Sequence, residues 1–84
     1  MIICRVTGSV ISTRKNESLT GQRFLIVEPI DGKSPGFVAA DNIGAGVDEN
    51  VLVVQGSGAR IALGGNHIPV DAAIVGIIDE GTKL

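Results

Sequence analysis

A mainly β fold is what this sequence predicts: a small five-stranded OB-like barrel with one short helix. Three observations carry that prediction. The apolar residues are Val, Ile, Leu and Ala, with Phe24 and Phe37 as the only aromatics, and the β-branched share favours strands. Twelve glycines spread over 84 residues suit frequent turns and bends rather than long helices. Short apolar runs are separated by turn signals, and the one helix-like stretch falls between the fourth and fifth runs.

Residues 1–12, MIICRVTGSVIS, read as the first strand, in which Ile2, Cys4 and Val6 alternate with Ile3, Arg5 and Thr7. Gly8 then invites a bulge, so that a kinked strand turns the corner of a barrel. Residues 13–22 are polar and form a connecting loop; Asn16-Glu17-Ser18 matches the glycosylation acceptor pattern there, but no secretion signal accompanies it. Arg23–Ile30 is the second strand, with Phe24 and Ile26 on one face and Leu25 and Val27 on the other, and Pro29 marks its end. Asp31-Gly32 and Pro35-Gly36 are turn signals that make a hairpin to the third strand, Gly36–Ala40. The turn Asn42–Gly46 has two glycines flanking one small residue, which suits positive φ or close backbone approach. Val51–Gln55 is the fourth strand. The loop Gly56-Ser57-Gly58 opens a short helix over Ala59–Leu63, with Ser57 placed to cap its start, and Gly64-Gly65-Asn66 end it. His67–Val70 leads extended into the last strand, Asp71–Asp79.

Residues 1–84 form one domain, and a small one. A chain of this length buries only about 60–65% of its unfolded surface, so its core needs reinforcement. One cysteine, Cys4, excludes an internal disulfide, and one histidine, His67, excludes a Cys/His zinc site. Cys4 itself reads as a small buried hydrophobe. What remains is association with other chains. The fourth and fifth strands agree, because Val51–Val54 and Ile74–Ile78 are apolar on both faces. A lone barrel shows alternation, since its outer face meets water. Strands apolar on both sides need cover on both sides, and another subunit supplies it.

No catalytic constellation is present. A dinucleotide fingerprint needs a third glycine five residues after the first; from Gly44 that position holds Glu49, and from Gly56 it holds Ile61. No P-loop is present either. Ser57 lies outside any nucleophile elbow and has only His67 in the chain as a histidine base. The chain is therefore read as no enzyme, with no cofactor and no metal. Seven basic residues against nine acidic, and two phenylalanines in strand positions, argue against nucleic acid as a partner. No run approaches a membrane span, and the free cysteine with no signal-peptide layout points to the cytoplasm. Arg60, in a glycine loop at a helix start, suits either a clamp on a neighbouring chain or a solvated surface position. The competing reading is a small cytosolic ligand- or nucleic-acid-binding OB-like barrel.

Three long runs, VTGSVISTRKNESLTGQRFLIVEPID, VAADNIGAGVDENVLVVQGSGAR and IPVDAAIVGIID, resemble the vertex proteins of bacterial microcompartment shells, the EutN/CcmL family. The most specific parts are D-x-[IV]-G-A-G at Asp41–Gly46, G-S-x-A-R at Gly56–Arg60, and P-V-D-x-x-[IV]-[VI]-G-[IV]-[IV]-D at Pro69–Asp79. Gly58 stands where the family often carries a second serine. The resemblance implies a cyclic homopentamer of OB-like barrels that caps the vertices of a carboxysome or metabolosome shell, with hexameric shell proteins as partners. It also implies that the G-S-x-A-R loop lies near the five-fold axis. Side-chain size agrees, because Gly56-Ser57-Gly58 is small and uncharged where copies crowd at a ring centre. Ser57 and Gly58 are thus expected to line an axial opening, with Arg60 behind them at the subunit contact, and Asp41, Gly44 and Gly46 to form a structural turn.

Overall fold

The computed structural model describes residues 1–12, 15–65 and 67–84. Its strands are β1 (Ile2–Val10), β2 (Arg23–Pro29), β3 (Phe37–Asp41), β4 (Asn50–Gln55) and β5 (Ala72–Ile77), with one helix, α1 (Ser57–Ala62), between β4 and β5. They close into a barrel in the order β1-β2-β3-β5-β4. Every ladder is antiparallel except β3–β5, which is parallel and short. Closure leaves no strand at a free edge along the whole of its length.

The bulge expected at Gly8 is present. Val6 lies opposite Val27 and Gly8 opposite Ile26, which leaves Thr7 as the extra residue. The bend lets one strand serve two neighbours: Ile2–Arg5 pair with β4, and Cys4–Val10 pair with β2. It also reverses the facing of the strand. Cys4 and Val6 point inward ahead of the bulge, whereas Gly8 and Val10 lie opposite the outward Ile26 and Phe24 behind it.

The core is built from small and medium side chains. Cys4, Val6, Leu25, Val27, Ala39, Val51, Val53, Ala72 and Ile74 fill the interior, and Ala45 joins them from the turn after β3. Burial pushes the Cys4 thiol above its ordinary pKa, with the Asp31 carboxylate adding to the effect. The outward residues of the same strands are also apolar. Leu52 and Val54 are only half-buried, and Ile26 and Val38, opposite each other across β2 and β3, are 38% and 48% exposed. Helix α1 packs on β4 and β5 through Ala59 and leaves Ile61 70% exposed. One short helix does not cover the outer faces.

Two local expectations are corrected. The helix begins at Ser57, two residues earlier than its apolar pattern suggests, and Gly56 rather than Ser57 is its N-cap. Gly56 adopts φ +70°, a conformation glycine accepts freely, so the turn into the helix is completed one residue before the serine, and no side chain caps it. The polar loop after β1 contains a single 3-10 turn over Glu17–Leu19, held by Asn16 Oδ1, which accepts from Ser18 N at 3.0 Å and Ser18 Oγ at 2.6 Å. The expected helix end at Gly64-Gly65 is marked by φ +104° at Gly64, while Asn66 lies outside the described residues.

The inward placement of Leu25 is testable. Leu25→Ala is expected to lower the unfolding free energy by about 2–5 kcal/mol, because a buried leucine is removed from a core that relaxes only in part. A denaturant melt checks this, and a midpoint equal to that of the parent contradicts the assigned facing of β2.

Candidate functional site

Two loops carry the residues singled out in the sequence, and β4 runs between them. The turn Asn42–Glu49 leads into the strand and Gly56–Arg60 leaves it. Six strand residues at about 3.3 Å each set the two loops roughly 20 Å apart. Asp41, Gly44 and Gly46 therefore form one group, and Ser57, Gly58 and Arg60 another; the fold of one chain does not bring them together.

The first group is organised by a buried charge. The Asp41 side chain has no exposed surface, yet its carboxylate is fully satisfied. Oδ1 accepts from the N–H of Ile43 at 3.0 Å and of Gly44 at 3.2 Å, and Oδ2 accepts from the N–H of Ala45 at 2.9 Å. The guanidinium of Arg23 donates to Oδ2 at 2.8 Å and to the Ala45 carbonyl at 2.9 Å. A buried carboxylate is tolerable only with such partners. Folding the backbone around it requires φ +100° at Gly44, which places Ala45 in the core. Gly46 has no such requirement. Its N–H donates to Glu49 Oε1 at 2.6 Å, and a Cβ there would approach that flexible side chain at 3.3 Å.

The far end of the turn is strapped to β1. Asp48, at φ +74°, donates its N–H to the Val6 carbonyl at 2.8 Å, and the Glu49 carbonyl accepts from Val6 N at 2.9 Å. Arg5 and Asp48 also pair at 2.9 Å, but both side chains are mostly exposed, and such pairs contribute little. Tied at both ends, the turn presents Ile43 and Val47 to solvent.

Arg23 is the member of this group that sequence reasoning missed. The sequence places it as the first residue of a strand and assigns it no partner. The signal lies in the hairpin register, which sets Arg23 opposite Asp41 once β2 and β3 are paired.

The second group sits at the other end of β4. Gly56 donates its N–H to the Asp71 carbonyl at 2.7 Å, fixing the exit from the strand. Ser57 and Gly58 are exposed, and a Cβ added at Gly58 would meet nothing within 4 Å. Arg60 is half-buried in α1; its carbonyl accepts from Leu63 N and Gly65 N, and among the described residues its guanidinium makes no hydrogen bond or ion pair. Among the described residues no group of three His, Cys, Asp or Glu side chains converges on a point where a metal would sit.

A rigid apolar-faced barrel with these two loops has known counterparts. The family model described as ethanolamine utilisation protein EutN/carboxysome matches residues 1–79. The chain belongs to the EutN/CcmL family. It is 51% identical to the carboxysome shell vertex protein CcmL of Thermosynechococcus vestitus, over 99% of this chain and 88% of that protein. It is 44% identical to the microcompartment shell vertex protein PduN of Salmonella typhimurium, over 94% of this chain and 96% of the other. Among solved structures, a pentameric shell protein of the RMM microcompartment superposes with a TM-score of 0.87 at 40% identity, covering 100% of this chain and 96% of that one. The pentameric shell protein GrpN of Rhodospirillum rubrum gives a TM-score of 0.79 at 38% identity, over 100% and 99% of the two chains.

The Asp41 turn yields an ordered expectation for this EutN/CcmL-family chain. Asp41→Ala should cost about 2–4 kcal/mol, because it leaves the buried Ala45 N–H and the part-buried Ile43 and Gly44 N–H groups without an acceptor. Gly44→Ala should cost about 1–2 kcal/mol for its left-handed backbone, and Gly46→Ala less than either. Thermal or urea melts of the three variants check the order; a Gly46→Ala variant as damaged as Gly44→Ala contradicts the φ argument.

Proposed function

We propose that this chain is a structural shell protein whose homopentamers cap the vertices of a bacterial microcompartment in the cytoplasm. The observation that supports it most is the pairing of strong likeness to pentameric shell proteins with an outer strand surface that one chain leaves apolar and uncovered. A ring closes when one surface patch binds a different patch on the next copy with a fixed rotation. Flat hexagonal tiles do not close a shell, and pentagons supply the curvature. The protein then acts by assembly and shape, with the hexameric shell proteins of the same compartment as its neighbours and no turnover of substrate. Phe24 and Phe37 are half-buried on their strands, and the net charge is −2. Both support the reading that nucleic acid is not its partner.

Within this reading, Ser57 and Gly58 from each copy line the axial opening, and Arg60 reaches the adjacent subunit. The exposure of Ser57 and Gly58 and the lack of a partner for the Arg60 guanidinium among the described residues of its own chain support that placement. The open space around Gly58 makes a clean test possible, since a Cβ added there meets no atom within 4 Å in the subunit itself. Gly58→Glu sets five carboxylates close together on the axis, and each like-charged pair costs about 1–4 kcal/mol depending on screening. Crowding of like charges raises the pKa of these carboxyls in the ring, so the ring is weakened above their pKa and restored as pH falls toward about 4. Native mass spectrometry of the parent should show five chains. The Gly58→Glu variant should dissociate at neutral pH and low salt, with an unchanged subunit fold by circular dichroism. A variant ring as stable as the parent from about pH 4 to 8, a span that covers the ordinary Glu pKa, removes the loop from the axis. A monomeric parent removes the ring.

A further inference from the structure

The barrel is closed by its shortest ladder. Among the described residues β3 and β5 meet only at Ala40↔Ala73 and Asp41↔Ile74, so the first residues of β3 have β2 on one side and no described strand on the other. The alternation of main-chain direction identifies the groups left over. The Ile3 carbonyl accepts from Ile30 N, so the main chain of Ile3, and then that of Arg5, points toward β2. Arg5 lies opposite Glu28, which turns Glu28 and Ile26 toward β1 and Val27 and Leu25 toward β3. Their partners Phe37 and Ala39 point back at β2. The N–H and C=O of Val38 therefore face the gap, ahead of the point where pairing with β5 begins.

A cleft of about 480 Å³ opens at that gap, between residues 35–38 of β3 and its approach, Gln55–Gly56 at the end of β4, and Asp71–Ala72 at the start of β5. It continues past Pro35, Phe37 and Gln55 into a second hollow of about 360 Å³ that reaches Asp31. The floor is apolar, with half-buried Phe37 and the exposed side chain of Val38. Among the described residues the charge lining it has one sign: Asp71 stands by the first hollow and Asp31 by the second, with no lysine or arginine in either lining. Asp31 accepts from the N–H of Lys33 and Ser34 and from the Ser34 hydroxyl, which holds its carboxyl below the usual range and keeps it ionised at neutral pH.

We infer that this cleft docks an extended segment of a partner protein, with apolar side chains alternating with lysine or arginine, which adds as a short strand beside Val38. Strand addition uses the open main-chain pair of Val38 for affinity and the neighbouring pockets for selection. The apolar side chains cover Phe37 and Val38, and the basic ones meet Asp71 and Asp31. The inference stands on the β3 edge and its charge, not on the assembly into rings.

The probe is a fluorescein-labelled acetyl-Lys-Val-Lys-Val-Lys-amide, added to the full-length protein at low salt, with hydrogen exchange followed by NMR. In the free protein the Val38 amide should exchange faster than that of Ala39, which bonds β2. Saturating peptide should slow Val38 by about tenfold or more, as expected when an exposed amide gains a ladder bond. Replacing the lysines with glutamates, or Asp71 with Asn in the protein, should weaken binding by about tenfold and several-fold respectively. The Asp71→Asn change leaves the main-chain bond from Gly56 in place, so the fold is kept. Equal binding of the acidic peptide, or binding that leaves Val38 exchange unchanged, overturns the proposal. A Val38 amide already protected in the free protein also overturns it, because a neighbouring copy then fills the gap.

Discussion

A five-stranded barrel made by 84 residues has an interior too narrow for its own apolar content, and much else follows from that constraint. The largest side chains fully enclosed are Leu25 and Ile74; the rest of the buried core cluster is Val, Ala and one Cys. Ile26, Val38, Ile61 and Ile77 stand on the outside of the same elements with substantial exposure. Inverting β4 or β5 would exchange one apolar face for another, so register there is not secured by hydrophobicity alone. The bulge at Thr7 and the parallel closure of β3 on β5 fix it instead. The surplus apolar surface is then available for association, which is where a domain of this size finds the burial it lacks.

Association into a shell of fixed curvature demands that each subunit keep its shape, and the turn after β3 shows how that is secured. Asp41 brings a charge into the interior, which is unfavourable until it is answered by three backbone N–H groups and Arg23. Once answered, the carboxylate admits one loop conformation, because each bond constrains a different residue of the turn. Val6 ties down the other end through Asp48 and Glu49. The polar cluster is better understood as a device for geometric uniqueness than as a source of net stability. Ile43 and Val47 are consequently held out from the barrel at defined positions.

Much of this was legible in the residues. Gly8 announced the bulge because a glycine in an alternating strand marks the place where pairing slips. Phe24 and Ile26 against Leu25 and Val27 gave the correct split of faces for β2, and the two-faced apolar runs of β4 and β5 pointed to cover from outside. What stayed hidden depended on pairing across space. Arg23 acquires its role only when the hairpin sets it opposite Asp41, and no local pattern states that register. Ser57 looked like a helix cap by residue type, but the φ of Gly56 placed the cap one position earlier. Gly44 and Gly46 are equivalent in sequence and different in fact, since only Gly44 has positive φ. The open half of β3 could not be read either, because it arises from where β5 begins relative to β3.

The central claim is that copies of this barrel close into a ring of five, because five rather than six supplies curvature. Electron microscopy of the purified protein tests it most directly. The account predicts end-on class averages with five-fold symmetry and a narrow central opening. Averages with six-fold symmetry, or particles that never close into rings, would contradict it.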